Sequence, residues 1–270
     1  ACSGTIAYTT SPVHNLDTWL DLAKKIEDSG ADSLAIKDMA GLLRPFDAFD
    51  LVKSLKESLN IPIHMQTHAT TGMSTATNMK AIEAGIDNID TSISSLSMTY
   101  GHTATETMLA IFEGQDREIN LDLDSLEEVS LFFKDIRDKY SEFEGGLKGV
   151  DSTMLVKQVP GGMLSNLESQ LRANKQEDKI DLVKEEIPKV RKDFGYPPLV
   201  TPASQIVGAQ ALLNVMNSMP YENLSNESIN LILGKYGKLP GDINPELLAK
   251  ARSKAVAGEE KDLDDQEFQK

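Results

Sequence analysis

The sequence predicts an α/β fold, the C-terminal half of a (β/α)8 TIM-type barrel with four strand-helix units, followed by a mainly helical segment. Three observations predict it. Apolar runs of strand length alternate with runs of helical periodicity four times before residue 114, and such short-linked cycles build parallel sheets covered by helices. The strand ends collect polar groups, Lys37 and Asp38 after one run, Gln66 and His68 after the next, as a barrel mouth does. After Gly114 the alternation stops and helical patterns take over. A small open, doubly wound sheet accounts for the first observation equally well, while the polar strand ends favour the barrel. A closed barrel needs eight units. The other four are therefore expected upstream of Ala1, which follows no Met.

The first strand is expected over Gly4 to Thr10, before a turn at Ser11-Pro12-Val13. Leu16, Leu20, Ala23 and Ile26 then recur at helical spacing up to the stop at Ser29-Gly30. The second unit pairs a strand at Leu34 to Lys37 with a helix from about Pro45, a residue suited to a first turn, to about Leu59. The third runs from Ile61 to His68 and then from about Thr75 to Ala84, closed by Gly85. The fourth strand, Asn88 to Ile93, leads through Ser94-Ser95-Leu96-Ser97 to a helix from about Thr103 to Phe112. Beyond it, Leu121 to Phe143 reads as an acidic helix broken at Gly145-Gly146. A Pro-Gly-Gly turn at 160–162 opens a helix through Leu171, and helices are expected at about Lys179 to Phe194 and Ser204 to Met216. The domains expected are thus 1–114, 115–250, and an acidic linker or tail over 251–270, which has too little apolar content to fold alone.

Composition narrows the function. The 270 residues, 40% hydrophobic and 26% charged, suit one large domain or two modest ones. A net charge of -15 excludes a general nucleic-acid binder, which needs a surplus of Lys and Arg. The single cysteine, Cys2, forms no internal disulfide, and no apolar run approaches the roughly 18 residues of a membrane span. The chain reads as cytoplasmic, meeting a membrane only through a partner.

Chemistry concentrates at two strand ends. Because side chains alternate faces along a strand, His64, Gln66 and His68 point the same way, with Gln66 and His68 roughly 7 Å apart, a spacing that lets two donors converge on one ion. Burial at a strand end favours the neutral amine of Lys37 and so invites covalent chemistry or carbamylation. An isolated strand-end lysine is ordinarily solvated or ion-paired, and His14 and His102 have turn or capping roles as their default. His64 reads as a satisfied core histidine. Thr201, held extended by Pro202, is by itself a helix-entry turn. The Gly161-Gly162 pair is a backbone turn and not a phosphate cradle. Lys80, after Met79, reads as a surface residue of its helix.

At these residues the chain resembles the carboxyltransferase component of biotin-dependent enzymes, namely the oxaloacetate decarboxylase alpha subunit, the carboxyltransferase subunit of pyruvate carboxylase and the central subunit of transcarboxylase. The motifs that carry the resemblance run from Gly4 to about residue 248: Tyr8 to His14, Ile36-Lys37-Asp38-Met39-Ala40-Gly41, His68-Ala69-Thr70-Thr71-Gly72, Asp90 to Ser95, Val159-Pro160-Gly161-Gly162-Met163 and Leu199-Val200-Thr201-Pro202-Ala203-Ser204-Gln205. The resemblance implies a barrel followed by a carboxylase-specific helical domain. It also implies a divalent metal (Zn, Mn or Co) held by a first-strand Asp, a carbamylated Lys and a His-x-His pair. Carried over, the Lys is Lys37 and the second His is His68. The first falls on Gln66, and the Asp has no counterpart. An amide is a weaker, neutral donor for zinc-like ions than imidazole.

The family's proton-shuttling threonine matches Thr201, with Ser204 nearby for biotin. Transfer of a carboxyl group between oxaloacetate or pyruvate and biotin is the implied reaction, with biotin on a separate carrier domain or subunit. A homo-oligomer is implied, as are membrane subunits reached only through partners. Two alternatives stay open: a metal-dependent lyase or aldolase of the related barrel superfamily, and a catalytically dead assembly subunit, motivated by Gln66.

Overall fold

A computed structural model describes residues 1–117, 119–144 and 146–267, the side chains of Ser165 and residues 257–267 excepted. Its contacts divide into two compact units, Ala1–Gly162 and Met163–Lys270.

In the first unit four strand-helix cycles follow one another: β1 (Ser3–Ala7), α1 (Leu16–Asp28), β2 (Ser33–Asp38), α2 (Pro45–Ser58), β3 (Ile63–Thr67), α3 (Ser74–Glu83), β4 (Asn88–Ile89) and α4 (Thr105–Phe112). The strands pair in parallel in the order β1-β2-β3-β4, so each helix is a crossover to the next strand. Local chemistry sets the helix ends. Asn15 caps α1 by accepting the Thr18 N–H at 2.9 Å, and Pro45 opens α2, where a missing N–H costs nothing.

Strand alternation then divides the sheet into two faces. Ile6, Leu34, Ile36, Ile63 and Met65 are fully buried against Trp19, Ala23, Leu51, Leu55, Ala81 and Met108 from the four helices. The other face carries Ala35 and Lys37 on β2 and His64 and Gln66 on β3, all partly exposed. This one-sided helix cover is the wall of a barrel seen as a half.

The fourth strand is shorter than the expected Asn88 to Ile93. It pairs with His64 and Met65 only, and after Asp90 the chain turns into a 3-10 segment at Ser94–Leu96. A strand with one neighbour gains half the ladder bonds of a central strand, and the Ser-rich run supplies local alternatives. Beyond it come α5 (Leu123–Lys139) and the single-turn α6 (Met154–Lys157). No compact-unit boundary falls at residue 114, and the first unit runs on to Gly162.

The second unit contains most of α7 (Gly161–Ala173), then α8 (Ile180–Asp193), α9 (Ala203–Met216), α10 (Asn226–Ile232) and α11 (Pro245–Glu267). Its core holds Leu167, Leu171, Val183, Ile187, Val190, Phe194, Val207 and Ala211. The acidic tail expected over 251–270 is instead helical as far as Glu267, and residues 268–270 lie outside the described residues. Leu247 and Ala251 are buried. Once such contacts stabilise a first turn, a run rich in Ala, Lys and Glu extends it at little further cost. Among the described residues no helix is long and apolar enough to cross a membrane.

Candidate functional site at the strand ends

The site grows from the register of β2 against β3. Lys37 and Gln66 are direct cross-strand partners, so both side chains leave the same face of adjacent strands. His68 follows β3 by one residue, its N–H bonded to the Asp38 carbonyl at 3.1 Å. The ladder therefore continues one step past the strand and fixes the backbone that carries the imidazole.

Two loops buttress it. Asp38 is fully buried, and its carboxylate accepts the N–H groups of Leu42 and Leu43 at 2.8 and 2.9 Å and the Thr67 hydroxyl at 2.9 Å. Burial raises its pKa to about 6 against the opposing pull of these bonds. Gly41, at φ +65°, passes so close that a Cβ there would stand 2.6 Å from the His68 carbonyl oxygen, and Thr71 donates to the Gly41 carbonyl at 2.6 Å. Only glycine meets both the left-handed backbone and the close approach.

The imidazole of His68 is oriented from the other side. Its Nδ1 lies 2.6 Å from the Tyr100 carbonyl oxygen. A carbonyl only accepts, so Nδ1 carries the proton and Nε2 presents a lone pair. Burial pushes the His68 pKa below the ordinary histidine range, with smaller contributions from His102 and Lys37. A neutral imidazole with a free Nε2 is the form that ligates a metal.

His102 was expected in a turn or capping role. Its backbone does close the Met98–His102 turn, with a 2.7 Å bond, but its side chain returns to the strand ends. The two imidazole centroids of His68 and His102 are 4.6 Å apart. His102 Nδ1 sits 3.0 Å from the Thr67 carbonyl and His102 Nε2 3.4 Å from the Gln66 amide nitrogen. The available signal was its position, a histidine in the loop after the fourth strand, at the same sheet edge as the others. The path of that loop was not readable from spacing.

His64 is held elsewhere: its Nε2 is 2.7 Å from Asp90, and both side chains are more than one-third exposed. It is paired, as expected, but at the surface and not in the core. His14 bonds Ser11 Oγ at 2.7 Å and stacks on Trp19. Lys80 pairs with Glu83 on the outside of α3.

Thr201 and Ser204 belong to the second unit, at the entry to α9. Thr201 is exposed in the turn before the helix, and the Thr201–Pro202 peptide is cis. Ser204 is buried, and its N–H bonds the Val200 carbonyl at 2.9 Å. Gly161 lies where a Cβ would collide with the Tyr100 ring. The Pro-Gly-Gly turn thus packs against the residue whose carbonyl orients His68.

A divalent ion fits the strand-end donors. His68 offers Nε2, Lys37 and Gln66 leave the sheet on the same face, and Lys37, which as an ammonium disfavours positive charge at His68, would oppose a cation unless its amine were modified. Among the described residues no group of three or more His, Cys, Asp or Glu side chains is arranged to hold a metal, so a site within this chain would draw on Lys37 or Gln66 as well as on histidine.

Residues 7–132 match the family described as HMGL-like, and residues 154–270 match the conserved carboxylase domain. The chain is 49% identical over 246 residues to a pyruvate carboxylase subunit of Methanocaldococcus jannaschii, covering 91% of this chain and 43% of that protein. It is 47% identical over 254 residues to the methylmalonyl-CoA carboxyltransferase 5S subunit of Propionibacterium freudenreichii subsp. shermanii, covering 93% and 50%. The carboxyl transferase domain of Rhizobium etli pyruvate carboxylase, solved with pyruvate and biocytin, superposes with a TM-score of 0.84 at 30% identity over 88% of this chain and 43% of that one. The chain spans about half the length of the curated relatives it matches.

Proposed function

Because this chain belongs to the carboxyltransferase family of biotin-dependent enzymes, we propose that it carries part of an active site transferring a carboxyl group between oxaloacetate or pyruvate and biotin on a separate carrier. The observation that carries the reading is the strand-end set Lys37, Gln66 and His68, with His68 held neutral and Nε2 presented by the Tyr100 carbonyl. The relatives' names support pyruvate as the keto acid, and the biocytin complex supports biotin as the carrier's group.

Lys37, Gln66 and His68 would hold a divalent ion, Zn, Mn or Co. Bound there, the ion would draw charge from a substrate keto oxygen and so favour the enolate left when the carboxyl carbon departs. Carbamylation of Lys37 converts a competing cation into an anionic oxygen donor. Asp38 and Gly41 position the loop against His68. Thr201, through its hydroxyl, would take a proton from the carboxyl acceptor and hand it to the substrate carbon, and the buried Ser204 holds the turn that presents it. The working protein is proposed to be a homo-oligomer.

The test is oxaloacetate decarboxylation with free biotin by the full-length gene product, beside metal per chain, in Lys37→Arg. The arginine keeps the charge and cannot be carbamylated, so loss of both metal and turnover is expected. Retention of both would overturn the reading.

A further inference from the structure

Position 66 is where the family's first imidazole is missing, and the structure places another one beside it. His68 and His102 are oriented by the same device. Each ring has Nδ1 against a backbone carbonyl, Tyr100 at 2.6 Å and Thr67 at 3.0 Å, so each carries a proton on Nδ1 and, as the neutral imidazole, a lone pair on Nε2. The two rings lie 4.6 Å apart, tilted by 49°. Gln66 completes the arrangement. With His102 Nε2 an acceptor, the Gln66 group facing it at 3.4 Å is the NH2 end of the amide. The amide is thus a donor to the lone pair that a cation would take.

We propose that His102, from the loop after β4, supplies the second imidazole of the divalent-metal site, so that in the donor set given above His102 takes the place of Gln66 beside Lys37 and His68, and Gln66 is a neighbour of a ligand. Two imidazoles suit zinc and cobalt better than one imidazole and an amide. Their carbonyl partners supply the outer hydrogen bonds that fix tautomer and ring direction. The substitution at position 66 is then compensated across the sheet edge, by a residue 36 positions away. This inference rests on the metal-site reading above.

The experiment is a zinc titration of the full-length protein, followed by the imidazole 15N spectrum, in which the signals of the four histidines of this chain are assigned by single substitution. Zinc is expected to shift Nε2 of His68 and His102 and to leave His14 and His64 in place. His102→Ala should lower zinc affinity at least about tenfold and Gln66→Ala by less than about threefold, with cobalt absorption bands reporting the same order. His102→Asn keeps a polar side chain of similar reach, and its loss of affinity with an unchanged melting curve would exclude a folding effect. If His68→Ala abolishes binding while both His102 variants bind as the wild type does, the proposal is overturned and the site reading survives. If the wild type takes up no zinc or cobalt, both are overturned.

Discussion

The two units handle candidate functional residues in different ways. In the first unit Lys37, Gln66, His68 and His102 come from three strand-helix units and are locked by backbone groups: strand register for Lys37 and Gln66, carbonyl oxygens for the two imidazoles. In the second, Thr201 and Ser204 share one helix entry, one exposed and one buried, and their placement follows from four residues of local chain. A metal needs several donors converging within a few tenths of an ångström. A proton relay needs one hydroxyl at the right place. In the proposed reading the sheet supplies convergence, and the helix end supplies presentation.

The sharpest way to break that contrast is Thr201→Ala in the full-length protein. Transfer to or from biotin should fall by roughly a hundredfold or more, the scale of a lost acid-base group, while metal content and melting temperature stay unchanged. A coupled loss of metal would show that the two units do not divide the work in this way. Next in size is Asp38→Ala. It leaves two buried N–H groups and a hydroxyl without an acceptor, a cost of about 3 kcal/mol in a urea melt. Unchanged stability would mean that water replaces the carboxylate at no cost.

Gly41→Ala should cost about 1–3 kcal/mol, because a strained positive φ and an overpacked contact with the His68 carbonyl coincide. Its imidazole 15N spectrum should show His68 displaced, whereas the His14 signal stays in place. The smallest effect is expected of Gln66→His. With His102 already an imidazole donor, zinc affinity measured by competition should rise by less than about threefold. A large rise would return the second-ligand role to position 66.

Much of the first unit is legible in the amino-acid pattern. Periodicity locates α1 to α4 to within two residues of their observed ends, and the strand ends that carry Lys37 and His68 are visible as polar residues closing apolar runs. The second unit is read less completely. Neither α10 nor the helical continuation of α11 is foreseen, because each depends on buried contacts such as Ile229, Ile232, Leu247 and Ala251 more than on a strong amphipathic pattern.

The sequence by itself determined which residue types stand at each strand end, because strand and helix periods are properties of neighbouring residues and of burial on one face. It determined in the same way that position 66 carries an amide. Only the tertiary structure decided that His102 lies against His68, that Asp38 closes the loop beside it, that the Tyr100 carbonyl chooses the tautomer and that His64 pairs with Asp90. These contacts join residues separated by four to 34 positions, and most of them depend on sheet register and on the path of the loop after β4. That path is set by which backbone groups find partners at the sheet edge, a choice that no local period encodes.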